Sequence, residues 1–166
     1  MHTLTSFLQS NAGEKRSFAS RNAWTGAISS DWNCASNWSK KKVPAWKDVV
    51  IVPYNEAGTY PIIDSPIIDF AQLIIEAGAK LTIARGGSIT VDGMLTYESG
   101  IYNNGIFINQ GELNVLNAGK HNIINDYLWM NEGSTAIDKE VVHGVVHTEE
   151  STFVNSGEII ELVMVV

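Results

Sequence analysis

From residue 72 onward the sequence keeps returning to one short phrase, a glycine followed by alternating apolar and polar side chains: AGAKLTI, GGSITV, DGMLTY, SGIYNN, NGIFIN, QGELNV, AGKHNI, EGSTAI, HGVVHT and SGEIIEL. Period-two alternation rich in β-branched and aromatic residues marks half-buried strands, and no helical period competes with it there. Each glycine, often after Asn, Asp or Ser, is expected to take the positive φ of a turn. The strands between them are about three to five residues long, too short for a sandwich built on ordinary hairpins. Gly93 to Gly111 is 18 residues and Gly119 to Gly144 is 25, so three strands per turn give coils of 18 to 25 residues, within the range of stacked solenoid repeats. The expected fold is therefore all-β, a single-stranded β-helix or β-solenoid.

In such a coil, inward side chains stack on their counterparts one rung away. The alternation nominates Leu81, Ile83, Ile89, Val91, Leu95, Ile106, Ile108, Leu113, Val115, Ile123, Ile137, Val146, Phe153, Ile159 and Leu162 for that interior. Asn103, Asn104, Asn109, Asn114, Asn117, Asn122, Asn125 and Asn131 are dense for a globular domain. They either ladder amide to amide between coils or occupy loops, and both readings stay open.

Charge is acidic overall, net −7 with a pI near 5.0, which argues against nucleic acid as a partner because a phosphate backbone selects a basic face. It is also uneven: residues 1–50 carry +4 and residues 51–166 carry −11, so the two parts are electrostatically complementary. Cys34 is the sole cysteine, so no internal disulfide forms; the expectation for it is a small buried residue. No run approaches the ~20 apolar residues of a membrane span. The first residues lack a basic leader with an apolar run, and the localisation expected from that is cytoplasmic.

Ahead of the repeat lies AWTGAISSDWNCASNWSKKKVPAWKDVVIVP. The spacing Trp24-x-Gly26, Asp31-Trp32, Asn37-Trp38, Val43-Pro44 and Asp48-Val49-Val50-Ile51, followed by YPII at 60–63 and LIIEAGAKLTIARGGSITVDGMLT at 73–96, resembles the opening of β-helical modules in surface and adhesin-like proteins of gliding bacteria. The resemblance covers roughly residues 23–115. It implies a right-handed β-helix, and a cell-surface or secreted location as the alternative to the cytoplasm. As a short chain the protein is also similar to cytoplasmic fibril proteins of gliding bacteria and, more loosely in architecture, to the bactofilin filament subunits. The organisation expected is an N-terminal arm (1–22), a Trp-rich cap segment (23–52) and solenoid coils (53–166).

Trp24, Trp32, Trp38 and Trp46 fall within 23 residues. They can close the apolar end of the first coil, with indole N–H groups reaching backbone carbonyls, or they can form a platform that stacks on a glycan, which needs at least two rings exposed side by side. At the other end six of the last seven residues are apolar: Ile160, Leu162, Val163, Met164, Val165 and Val166. A solenoid end exposes unpaired backbone and a cross-section of core. Leu4, Phe7 and Leu8 in the arm have i, i+3, i+4 spacing and can cover that end within the chain or in a neighbour. The function expected is a self-assembling structural subunit, a filament or fibril formed by end-to-end association of copies; the alternative is a carbohydrate-binding or adhesion module.

Neither enzymatic chemistry nor a cofactor is expected. Asp64 with Asp69, and Glu149 with Glu150, supply carboxylates but no spacing that defines a glycosidase pair. The repeat holds only Lys80, Arg85, Lys120 and Lys139 as bases, widely separated. His143 and His147 sit on a strand or turn with no third ligand, so they are read as surface residues rather than a metal pair. Thr82, Thr90 and Thr96 are too few for a flat threonine plane and read as ordinary outward residues.

Overall fold

The computed structural model describes residues 20–93, 99–138 and 143–162. Among these the chain winds as an all-β solenoid with three faces, interrupted by one 3-10 turn (Ala35–Asn37). A leading strand, β1 (Ser20–Ala23), precedes five coils. The first coil holds β2 (Asp48–Val52) and the two-residue β3 (Ile62–Ile63); bridges at Pro66 and Phe70 make its third side. The second holds β4 (Gln72–Ile75), β5 (Lys80–Ile83) and β6 (Ser88–Asp92). The third holds β7 (Ser99–Asn103), β8 (Ile106–Asn109) and β9 (Glu112–Leu116). The fourth holds β10 (His121–Asn125), β11 (Leu128–Asn131) and β12 (Ser134–Asp138), and the fifth β13 (His143–His147), β14 (Thr152–Asn155) and β15 (Glu158–Leu162). Stacked in parallel, they form a first face β1-β2-β4-β7-β10-β13, a second face β3-β5-β8-β11-β14 and a third face β6-β9-β12-β15. The first rung thus begins inside the segment expected to be an arm. Leu73, Ile101, Ile123 and Val145 lie in register, so successive coils take 28, 22 and 22 residues, the longest exceeding the expected 25.

The register decides which side chains fill the interior. On the second face Leu81, Phe107, Trp129 and Phe153 stack, with ring centroids 6.3 Å apart for Phe107–Trp129 and 4.5 Å for Trp129–Phe153. Leu81, Ile83, Ile89, Val91, Leu113, Val115, Ile123 and Ile137 are buried, and Phe153 is partly buried against them. Each such aliphatic side chain contributes about 1.5–3 kcal/mol by leaving water.

Three residues expected inside face out. In β8 the inward pair is Phe107 and Asn109, which puts Ile106 and Ile108 on the outer surface. In β13 Val145 aligns with buried Ile123, which puts Val146 outside. An unbroken apolar run such as IFI has no alternation to choose by, and a slip of one residue exchanges the faces. The aromatic stack and the Asn109 amide make the choice. Leu95 and the side chain of Leu162 lie outside the described residues.

Two asparagine ladders run up the corners of the core. Asn103 Nδ2 donates to Asn125 Oδ1 at 2.7 Å, and Asn109 Nδ2 to Asn131 Oδ1 at 2.8 Å. Asn131 Nδ2 continues to Asn155 Oδ1 at 2.8 Å. The same amides donate to the carbonyls of Leu128 and Ser134, each at 2.9 Å, which open the next coil's strands. The ladders therefore have a direction, donors pointing toward the C-terminal end. Asn104 and Asn114 stand outside them; Asn117 turns a corner at φ 48° and donates to Asp92; Asn122 is buried and donates to the Asp138 carbonyl at 2.7 Å.

From Gly87 onward most of the described repeat glycines serve close approach rather than a positive-φ turn. Gly87, Gly111, Gly133 and Gly157 stack at the corner between the second and third faces. A Cβ on Gly111 would lie 2.2 Å from the Gly87 carbonyl oxygen, and one on Gly133 2.1 Å from that of Gly111. Among the described glycines positive φ occurs at Gly26 and Gly58 ahead of the repeat, and at Gly78 and Gly86 in its first two phrases, where the turn expectation holds.

Candidate functional site: the two ends of the solenoid

The N-terminal end is sealed. Asn37 organises the seal: its Oδ1 accepts from the backbone N–H of Ile28 at 2.8 Å and Ser29 at 3.1 Å, and its Nδ2 donates to the Asp31 carbonyl at 2.9 Å. That folds the loop so that Trp38 meets Trp24 edge-on (5.0 Å, 80°) and Trp32 edge-on (4.7 Å, 74°), while Trp32 stacks on Phe70 (5.8 Å, 28°). Trp24, Trp32 and Trp38 are buried. Trp24 Nε1 donates to the Thr59 carbonyl and Trp38 Nε1 to the Trp32 carbonyl, each at 2.8 Å, whereas Trp32 Nε1 finds no acceptor among the described residues. The outer edge of β1 is also covered: Trp24 bridges Trp38 in antiparallel fashion, and Ser39 N–H donates to the Ala23 carbonyl at 2.8 Å. Asp48 ties the cap to the first coil, accepting from Ala45 N–H at 3.0 Å and pairing with Lys40 at 2.9 Å. Trp46 alone of the four is exposed (59%), with Lys47 Nζ 4.3 Å from its ring centre. Two exposed tryptophans side by side, the requirement for a glycan platform, are therefore not present in this set.

The C-terminal end is different. Among the described residues, no rung follows β13, β14 and β15. Ile159 occupies the interior column above buried Thr135 yet is 36% exposed, and Val154 and Ile160 on the outer side are 48% and 40% exposed. Asn155 ends its ladder as an acceptor, and its own amide donates to nothing among the described residues. Glu161 stands in the column of Val91, Val115 and Ile137, a carboxylate where the preceding coils hold aliphatics. Of the residues expected at an assembly interface, Ile160 lies on this end and Leu162 pairs with Asp138; Leu4, Phe7, Leu8, Val163, Met164, Val165 and Val166 lie outside the described residues. Sequence reasoning missed Val154 and Asn155, although the spacing of Asn131 and Asn155 in aligned phrases carries the signal.

His147 closes the other ladder. Asn125 Oδ1 is occupied by Asn103, and Asn125 Nδ2 donates to the Thr152 carbonyl at 3.2 Å and lies 3.3 Å from His147 Nδ1. Its ring lies 5.0 Å from Phe153 and 6.4 Å from Trp129. Partial burial against them pushes its pKa below the ordinary histidine value. A lowered folded-state pKa gives stability that is present above the unfolded value, about 6.5, and lost as pH falls through the folded one. Urea denaturation should therefore show the protein losing stability below about pH 6.5, and His147→Gln, which keeps an acceptor without a charge, should flatten that part of the profile.

The other singled-out residues do not converge. Asp64 and Asp69 are exposed after β3, while Glu149 and Glu150 lie in the turn before β14, at the opposite end of the stack. Thr82 and Thr90 point outward on different faces, and Thr96 is outside the described residues. Cys34 is half-exposed rather than buried, at the start of the 3-10 turn. No group of three or more His, Cys, Asp or Glu that could hold a metal occurs among the described residues, and none of their helices is long and apolar enough to cross a membrane.

A parallel three-faced stack closed at one end by buried tryptophans defines a capped β-solenoid. The profile of a domain of unknown function, DUF8693, matches residues 23–147, from the cap through β13, and the chain belongs to that family. No curated protein and no solved structure matches the sequence.

Proposed function

We propose that the protein is a self-assembling structural subunit whose open C-terminal coil docks on another copy, building a filament or fibril end to end. The observation that carries the reading is the asymmetry of the ends. One is closed by buried indoles and a covered strand edge; the other leaves Ile159, the Asn155 amide and three strand edges without a rung above them among the described residues. Unpaired strand edges recruit further backbone. Head-to-tail docking is heterologous, so it repeats along an open fibre unless its rotation closes a ring. The charge difference between the chain's first 50 residues and the remainder, +4 against −11, favours that polarity. No observation favours the glycan-binding alternative once three of the four tryptophans are buried.

Negative-stain microscopy of the full chain tests the reading, with Ile159→Lys as comparison. Elongated particles are expected for the wild type, and Ile159→Lys should abolish them with little change in melting temperature, because the position is at the rim. Wild-type protein that stays monomeric at high concentration overturns the proposal. Closed pairs that never lengthen overturn the filament while retaining docking at the open coil.

A further inference from the structure

The outward placement of Ile106 and Ile108 has a consequence for the outer surface of the second face. Two columns point outward there. One runs from Lys80 through Ile106 and Leu128 to Thr152; the other runs from Ile62 through Thr82, Ile108 and Met130 to Val154. With strands ~4.8 Å apart and ~3.3 Å per residue, this flat apolar plate measures on the order of 20 by 13 Å. The third face instead directs the carboxylates of Glu112 and Glu158 outward. The first face carries a single apolar column, interrupted by the phenol of Tyr102.

We propose that this plate pairs with the same plate of a second copy, the two solenoids lying antiparallel. Charge selects the occupant. The chain carries −7, so a second copy is repelled wherever carboxylates face each other, and the outward columns of this plate hold none. Orientation follows from the one cation. Lys80 stands at the N-terminal end of its column and makes no ion pair among the described residues. At the far end of that column Thr152 follows the turn bearing Glu149 and Glu150. A twofold axis along the strands sets each Lys80 opposite the other copy's Thr152 and brings that acidic turn to it, twice by symmetry. An axis along the solenoid would instead bring the two Lys80 side chains to the same level. A plate of this size is smaller than one side of a standard interface, about 800 Å², so the pair is reversible. It is a lateral contact, independent of docking at the open coil.

Light scattering with size exclusion on full-length Ile159→Lys, whose ends are blocked, separates the two contacts. Over roughly two decades of concentration its mass should rise from one chain to two. Adding Ile108→Glu and Met130→Glu should hold it monomeric, with affinity lowered by about a hundredfold or more and the far-UV spectrum unchanged. The milder Ile108→Thr with Met130→Thr, which keeps β-branched or small outward residues, should weaken the pair by an intermediate factor. Lys80→Glu should weaken it as well, and Glu149→Lys with Glu150→Lys in the same chain should restore it. A monomer throughout, including one whose plate is covered by its own residues 1–19, overturns the proposal, as does a dimer indifferent to the plate substitutions. Failure of the charge exchange to restore pairing overturns the antiparallel arrangement.

Discussion

Replacing Trp38 with alanine is expected to lower the unfolding free energy by about 4 kcal/mol, the middle of the range for a buried large-to-small aromatic change. Trp38 is fully buried and touches Trp24 and Trp32 through its ring edges, so its loss opens a void that neither neighbour can fill without abandoning its own contacts. The Trp32 carbonyl loses its donor at the same time. Cavity and orphaned acceptor act in the same direction. For a chain of 166 residues each kcal/mol moves the melting temperature by about 2–4 °C, so a fall of roughly 8–16 °C is expected by calorimetry. Trp46→Ala, at an exposed ring, should change stability by no more than about 0.5 kcal/mol. Equal effects at the two positions would contradict a cap built from three of the four indoles.

That contrast also marks how far the sequence could be read. Three strands per coil and the inward columns of Leu81, Ile89, Leu113 and Ile123 were legible, because alternation leaves few alternatives, whereas the tryptophans could be read as a cap or as a glycan platform. Which tryptophan stays outside was not legible. Trp32 and Trp38 each follow a residue of the loop that Asn37 folds and Trp24 directly follows β1, whereas Trp46 lies beyond Pro44, where Asp48 turns the chain back into β2. Such a distinction depends on hydrogen bonds between residues far apart in sequence. Ile106 and Ile108 were misassigned for a related reason: the strand is apolar at three successive positions, and only the aligned Trp129 and Asn131 one coil away select Phe107 and Asn109 for the interior. The asparagines divided similarly. Asn103, Asn109, Asn125 and Asn131 recur at intervals of 22 between coils, but the interval has meaning only after the coil length is known.

The same coil-to-coil logic connects the ends to the middle. Each ladder amide donates to the coil above it, so the stack accumulates no mismatch until the last rung, where Asn155 and His147 meet no further coil among the described residues. Cooperative stability should fall toward the fifth coil, as expected where nearest-neighbour terms dominate.

Gly133→Ala should be nearly as damaging as loss of Trp38, at about 3 kcal/mol or more. An alanine Cβ at this corner would sit 2.1 Å from the Gly111 carbonyl oxygen and 2.8 Å from both the Gln110 carbonyl carbon and the Gly111 nitrogen. All three are backbone atoms of the coil below, held in place because Ser134 N–H donates to that same Gly111 carbonyl at 2.9 Å and the Asn109–Asn131 bond spans the same step. Relief requires two coils to separate, which stretches bonds on all three faces. The melting temperature should drop by roughly 6–12 °C. Gly58→Ala separates this steric cause from a conformational one: Gly58 has φ 70° with nothing within 4 Å of a Cβ, so its substitution costs only the left-handed penalty of about 1–2 kcal/mol. Gly157→Ala meets the same 2.1 Å contact, with the Gly133 carbonyl, but in the last coil, which can lift away from one neighbour. Its cost in global stability should lie below that of Gly133→Ala, and its effect on assembly above it, because the coil that moves is the one proposed to dock. Calorimetry and microscopy of the two variants side by side decide this: if Gly157→Ala melts as low as Gly133→Ala and still forms fibres, the last coil is neither the weak end of the stack nor its docking surface.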